Sequence, residues 1–183
     1  MTPILNTLET ERLILRRERV EDASVFHRLW TERDPRVPPH RRLSADGRPR
    51  VTDIAAQIRE QVEDTGPGLL TVERKDGGDV IGYCGVVFDG TGSPDEPELA
   101  FELLAAVHQQ GYATEAATAV VTWATAAGYP RLWASVWDWN IASRRVLEKL
   151  GFRETAESGA ESPYGRSLTT VRDLCDGRGD ARL

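Results

Sequence analysis

Cysteine and histidine are scarce in this chain. Its 183 residues include two cysteines, Cys84 and Cys175, and three histidines scattered along the sequence. Two cysteines in a chain of this length do not form a disulfide framework, and neither residue type shows the close spacing of a metal site. The sequence therefore predicts no disulfide-stabilised scaffold and no bound metal ion.

Basic charge and long apolar runs are also lacking. The formal net charge is −6, whereas a nucleic-acid-binding protein needs a basic surface. No apolar stretch approaches the length of a membrane span, and residues 1–6 lack the basic and apolar regions of a signal peptide. We therefore expect no nucleic-acid partner, no membrane contact and a cytoplasmic location. Arginines do cluster, at 12–19 and 33–50, and are interpreted as solvated residues of loops and strand edges.

The remaining composition is that of an ordinary globular protein, with 40% hydrophobic and 28% charged residues. We expect one domain over residues 1–183, with a core from about residue 8 to 175 and a polar tail at 176–183. Residues 34–50 contain four prolines and many arginines. They are predicted to form a surface loop, and a flap on the substrate side is one role that such a loop can have.

The pattern of apolar residues predicts the order β-α-α-β-β-β-α-β-α-β-β. Three strands run consecutively in the middle, so the sequence lacks the regular alternation of a doubly wound nucleotide fold and predicts a mixed α/β fold. Helices are expected to begin near Asp22, Thr52, Gly111 and Asn140. Strands are predicted at 12–16, 69–74, 80–88, 98–104, 131–137, 152–157 and 166–175.

The most informative segment joins the strand at 98–104 to the helix that begins at Gly111. A strand, a tight glycine turn and a helix start leave backbone N–H groups and the positive end of the helix dipole at one place. That arrangement binds an anion such as a pyrophosphate. The residues of this segment are His108, Gln109, Gln110, Gly111, Tyr112, Ala113 and Thr114.

A second segment, from Asn140 to Phe152, opens another helix about 25 residues later. Asn140 is a typical N-cap residue, and Ser143 lies in the first turn, where serine is common for capping reasons alone. The two segments, in this order and at this spacing, are far more specific than either alone.

Three blocks together resemble the GNAT superfamily of acyl-CoA N-acetyltransferases, and more narrowly its RimJ/RimL-type branch. The blocks are 8–23, 98–116 and 140–152. The phosphate loop of the family follows the pattern Gln/Arg-x-x-Gly-x-Gly/Ala. Gly111 and Ala113 match its fourth and sixth positions, whereas His108 replaces the usual Gln or Arg.

The resemblance implies the GNAT fold, a mostly antiparallel sheet that splays between two neighbouring parallel strands, with helices on both faces. It implies acetyl-CoA as co-substrate, with the pyrophosphate on the N–H groups of about Gln109 to Thr114. The pantetheine arm would pair with the backbone of the strand at 98–104, Leu103 included, in the gap beside the strand at 131–137. Asn140 would bond the arm, and Ser143 would lie near the sulfur as an acid for the departing thiolate.

Acyl transfer to an amine requires that the amine lose a proton, since α-amino groups and lysines have pKa values near ~8 and ~10.4. Glu98 and Glu102 are the candidate bases. Four residues apart on a strand, at ~3.3 Å per residue, they lie on one face about 13 Å apart and cannot form a coupled pair. Glu98 aligns with the carboxylate that often serves as base in the family and is preferred. Glu102, which stands where an aromatic residue is usual, and water remain alternatives.

The sequence thus predicts an N-acetyltransferase that moves an acetyl group from acetyl-CoA to a primary amine by direct attack. The amine belongs to a protein N-terminus, as the RimJ/RimL likeness suggests, or to a small molecule, and the enzyme is a monomer or a homodimer. Two other interpretations stay open. One is a non-catalytic acyl-CoA-binding or sensor module, and the other is a nucleotide-binding protein that takes ATP.

Overall fold

The computed structural model describes residues 5–61, 66–88, 95–156 and 159–174, so the predicted tail at 176–183 lies outside the described residues. The helices are α1 (Ala23–Glu32), α2 (Val51–Gln61), α3 (Tyr112–Ala126) and α4 (Ile141–Lys149). The strands are β1 (Thr7–Glu9), β2 (Leu13–Arg16), β3 (Leu69–Arg74), β4 (Val80–Val87), β5 (Glu98–Leu103), β6 (Arg131–Trp137), β7 (Arg153–Glu154), β8 (Glu161–Ser162) and β9 (Gly165–Asp173).

The predicted mixed α/β fold and the order of its main elements are confirmed, and β3 and β6 have the predicted bounds. The pattern missed β1 and β8, which have three and two residues and are too short to show an alternation of apolar residues. The predicted loop at 34–50 is irregular except for one turn of 3-10 helix at Pro39–Arg41.

The strands lie in the order β1-β2-β3-β4-β5-β6-β9-β7, and β8 pairs with β9. Neighbouring strands are antiparallel except β5 and β6, which are parallel and pair at a single position, Glu98 opposite Trp133. β5 pairs with β4 at six positions, and β6 pairs with β9 at seven. Past Glu98 the sheet therefore opens between β5 and β6. We call this opening the β5–β6 wedge, and it is the splay that the family resemblance implies.

Helix α3 lies against β4 and β5 through a stripe of small residues. Ala116, Ala117, Val120 and Ala124 are completely buried. Small side chains let the helix axis approach the sheet closely. Thr118 and Thr122, one helical turn apart, are exposed on another face of the helix.

Asp22 is a buried carboxylate that ties β2 to β3 and to the start of α1. It accepts two hydrogen bonds from the Arg16 guanidinium, at 2.8 and 3.0 Å, and one each from the Arg19 N–H and the Thr71 hydroxyl. The Arg16 side chain is 11% exposed and also pairs with Glu73 at 2.7 Å. The interpretation of this arginine as solvated is therefore wrong. Asp22 stands at the N-cap position of α1, but its side chain makes no capping bond there.

These contacts make the stability of the fold depend on pH. Burial alone would raise the pKa of Asp22, but the hydrogen bonds from Arg16 and the Arg19 N–H outweigh it and hold that pKa below its usual value. The contribution of Asp22 is therefore present above its unfolded-state pKa of ~3.9. It is lost as the pH falls through the lower pKa of the folded state.

We expect Asp22→Asn to lower the free energy of unfolding by about 3 kcal/mol at pH 7, because it leaves part of a buried ion pair without its partner. Urea unfolding of this variant should also depend less on pH below about 4. The control is Asp79→Asn, which breaks the surface pair with Arg74 and should cost less than about 1 kcal/mol. Equal losses in the two variants would contradict the role assigned to Asp22.

Candidate active site

The turn between β5 and α3 has the shape that anion binding requires. Gln109 and Gly111 have positive φ angles of 62° and 84°, and α3 begins at the next residue. Within the described part of the chain, the N–H groups of residues 109–114 donate to no acceptor. The turn therefore offers free donors together with the positive end of the α3 dipole, which fits the pyrophosphate of coenzyme A.

The His108 side chain is directed toward the end of β5. Its Nε2 lies 2.8 Å from the carbonyl oxygen of Leu103. Because a carbonyl oxygen can only accept, Nε2 carries the proton. The structure thus brings two predicted cofactor residues together, with the imidazole of His108 bonded to the strand that precedes it.

Arg12 braces the first turn of α3, a role that no motif in the sequence indicates. Its Nε donates to Glu115 at 2.7 Å, another guanidinium nitrogen donates to the Gln110 carbonyl at 3.0 Å, and its guanidinium carbon lies 4.3 Å from the centre of the Tyr112 ring. Burial would raise the pKa of Glu115, but hydrogen bonds from Thr10 and Arg12 lower it overall. Arg12 therefore offsets the negative charge that Glu115 places near the candidate anion-binding turn.

Glu98 lies at the apex of the wedge and bridges its two sides. Its Oε1 accepts hydrogen bonds from the Ser135 hydroxyl at 2.6 Å and from the Ser135 N–H at 3.1 Å. Ser135 is two residues past Trp133, so the carboxylate takes the place of a strand partner where the ladder ends. A sequence signal for Ser135 exists, since it is the polar residue within the otherwise apolar run from Leu132 to Trp137.

Glu102 has different partners and a different electrostatic environment. Arg33 donates to its two oxygens at 2.8 and 2.6 Å, and the Tyr83 hydroxyl donates at 2.9 Å. Burial, followed by the nearby charge of Glu102, raises the pKa of Tyr83, so the phenol stays protonated. The Arg33 side chain is 12% exposed and stacks on Trp30, so the interpretation of this arginine as solvated is also wrong. The Arg33 guanidinium thus balances the charge of the Glu102 carboxylate, and Arg33 and Tyr83 together hold its position.

Asn140 and Ser143 lie on the other side of the wedge, directly after β6. The side-chain oxygen of Asn140 accepts from the Ser143 N–H at 3.2 Å and caps α4, as the sequence predicts. Among the described residues, the Asn140 amide group and the Ser143 hydroxyl donate to no acceptor. Both groups are therefore free to donate to a ligand.

Metal and membrane features are not found in the described ranges. No group of three or more His, Cys, Asp or Glu side chains there could hold a metal ion. None of the described helices is long and apolar enough to span a bilayer.

A mostly antiparallel sheet that opens between two parallel strands, with a glycine turn and helix after the first of them, defines the fold of an acyl-CoA-dependent transferase. The family model of the acetyltransferase (GNAT) domain matches residues 12–153. The chain belongs to this family and is an acetyltransferase that uses acetyl-CoA.

Solved structures share the fold at low sequence identity. A GNAT-family acetyltransferase from Bacillus anthracis is 18% identical, with a TM-score of 0.75 over 92% of this chain and 98% of that one. RimJ from Mycobacterium smegmatis, in complex with CoA-disulfide, is 20% identical, with a TM-score of 0.70 over 88% and 81%. The Salmonella typhimurium acetyltransferase yncA, with its cofactor acetyl-CoA, is 18% identical, with a TM-score of 0.67 over 93% and 99%. No curated protein matches the sequence.

The glycine turn can be tested with two glycines at opposite ends of α3. Gly111 and Gly128 have φ angles of 84° and 85°, so a side chain strains both. A Cβ at Gly111 would lie 3.3 Å from the Arg12 guanidinium, whereas a Cβ at Gly128 meets nothing within 4 Å. We expect Gly111→Trp to weaken coenzyme A binding at least about 100-fold. The turn must change its backbone conformation, and its N–H groups then no longer point toward one ligand position.

Gly128→Trp is the matched control and should bind coenzyme A as the wild type does, with a similar loss of thermal stability. Calorimetric titration with coenzyme A measures both variants. Unchanged affinity in a folded Gly111→Trp protein would show that the phosphates bind elsewhere.

Proposed function

We propose that this acetyltransferase moves the acetyl group of acetyl-CoA to a primary amine by direct attack. The observation that carries the proposal is the β5–β6 wedge, which has a turn of free N–H groups at one end and the Glu98 carboxylate at its apex. From Glu98 to Leu103, β5 extends about 17 Å at ~3.3 Å per residue. An extended pantetheine arm lying along this strand connects the phosphate turn with the apex.

Glu98 is the proposed base. At neutral pH most primary amines are protonated, so a base must remove a proton before the nitrogen attacks the thioester carbonyl. Glu98 has only the neutral donors of Ser135 as partners among the described residues. Both oxygens of Glu102 accept hydrogen bonds from Arg33, so an incoming amine would have to displace this arginine to reach them. The structure therefore supports Glu98 over Glu102 in this role.

The remaining groups are assigned to binding and to the leaving thiolate. The N–H groups of 109–114 hold the pyrophosphate, and His108 shapes their turn through Leu103. The Asn140 amide bonds the arm, and the Ser143 hydroxyl protonates the departing sulfur. A backbone N–H beside β5 stabilises the oxyanion, a contribution of about 3 kcal/mol in other acyl transfers.

The class of amine is the open part of the proposal. Neighbours in fold include RimJ and a ribosomal-protein-S5-alanine acetyltransferase from Vibrio fischeri, the latter 16% identical. These support the RimJ/RimL branch and a peptide N-terminus as acceptor, with small amines as the alternative. One domain over 1–183, a cytoplasmic location and a monomeric or homodimeric state stay predictions from the sequence.

We expect Glu98→Gln to lower kcat about 100-fold, with altered pH dependence of kcat and nearly unchanged affinity for acetyl-CoA. The measurement is steady-state kinetics with a panel of peptides and small amines. The control is Glu96→Gln, which removes a nearby carboxylate that lies 3.9 Å from Arg131, and it should behave as the wild type.

Two results would count against the proposal in different ways. Wild-type kinetics for Glu98→Gln would exclude Glu98 as the base while leaving the reaction in place. Failure of the wild-type protein to acetylate any amine, although it binds acetyl-CoA, would contradict the proposed function itself.

A further inference from the structure

Residues 33–50, which join α1 to α2, are the most basic part of the chain, and we call them the arginine segment. They contain six arginines against Asp34 and Asp46, in a protein whose net charge is −6. A local positive charge in an acidic protein attracts anions to that place. The position of the segment relative to the proposed reaction decides what that charge can do.

The arginine segment is attached to both sides of the β5–β6 wedge. Arg33 pairs with Glu102 on β5. Arg36, three residues later, places its guanidinium 4.1 Å from the centre of the Trp139 ring, just past the end of β6. Trp139 is itself fixed, since it stacks on Trp137 and its ring N–H donates to a backbone carbonyl at 2.8 Å. The segment therefore crosses the open end of the wedge.

The arginine segment lies on the face of β5 from which an acceptor amine can approach Glu98. Glu98 and Glu102 project from the same face of β5, because they are an even number of residues apart. Arg33 reaches Glu102 on that face. An amine that approaches Glu98 on that face has the arginine segment on its Glu102 side.

Three arginines of the segment, Arg41, Arg42 and Arg50, have no ion pair with a described carboxylate, whereas Arg33 pairs with Glu102. Arg36 pairs with Asp34, and Arg48 pairs with Asp46. The Nε of Arg42 is buried and lacks a hydrogen-bond partner there.

Two of these three, Arg41 and the adjacent Arg42, lie next to the Arg33–Glu102 pair. Arg33 donates to the Arg41 carbonyl at 2.7 Å, which fixes the backbone at this point, and the Arg41 side chain is exposed. A buried N–H without an acceptor is costly. The Arg41 guanidinium is exposed and open to an anionic ligand, and guanidinium groups bind carboxylates with two parallel hydrogen bonds.

We propose that Arg41 and Arg42 bind a carboxylate of the acceptor and thereby orient its amine toward Glu98. This inference rests on the proposed function and names its substrate class, an amine that carries a carboxylate. The carboxylate is either an acidic side chain next to a peptide N-terminus or the free carboxyl terminus of a small amino-acid-like acceptor.

The test uses two pairs of peptide acceptors, each with acetyl-CoA. The first pair, Ala-Glu-Ala-Ala amide and Ala-Gln-Ala-Ala amide, differs in a side-chain carboxylate. The second pair, Ala-Gln with a free carboxyl terminus and Ala-Gln amide, differs in a terminal carboxylate. We expect kcat/KM to favour the anionic member at least about tenfold in one pair, and that pair identifies the source of the carboxylate.

The double variant Arg41→Gln with Arg42→Gln should abolish this preference by raising KM for the anionic peptide, with little change for the neutral one. Arg48→Gln with Arg50→Gln removes the same charge from the same segment and should keep the preference. Arg41→Gln alone changes an exposed side chain, so it tests the proposal even if the double variant is unstable.

Equal kcat/KM within both pairs would overturn the inference and leave the proposed function intact. An equal loss of preference in the control double variant would also overturn it, since the effect would then come from the general charge of the segment. Absence of transfer to every peptide, with acetyl-CoA bound, would overturn the proposed function and this inference together.

Discussion

The loss of pairing between β5 and β6 is the constraint on which the rest of the structure depends. Unpaired N–H and C=O groups in the middle of a sheet are unfavourable, so an opening there needs support from both sides. β5 is paired with β4 over its whole length, and β6 is paired over its whole length with β9. Each side of the wedge is thus rigid, and Glu98 and Ser135 supply the hydrogen bonds at the apex.

Ion pairs hold the elements that surround this opening. Arg16 joins β2 to Asp22 before α1, and Glu102 receives Arg33 from the end of that helix. In each case an arginine neutralises a carboxylate at a junction. Glu98 differs, because its described partners are neutral donors, and this difference in local charge separates the two glutamates of β5. The local charge around Glu98 and around Glu102 therefore depends on which side chains the fold places beside each of them.

Most of the secondary structure and much of the candidate site could be predicted from the sequence, because both depend on short-range patterns. The bounds of β6, the N-cap at Asn140 and the glycine turn before α3 all follow from residues within a few positions of one another. The buried pairing of Arg33 does not follow from the sequence, because its partner lies 69 residues away. Charge density alone does not distinguish a solvated arginine from one that is buried against a carboxylate.

The sequence by itself determined the order of elements, the apolar stripe of α3 and the glycine turn before that helix, since backbone conformation and helix periodicity are local properties. Only the tertiary structure decided which of the two β5 glutamates pairs with an arginine and where Ser135 lies. It also decided that the segment at 33–50 crosses the wedge. Those facts depend on strand register and on the packing of distant segments. A single sequence does not specify such contacts, because many pairings of the same side chains are compatible with the same local pattern.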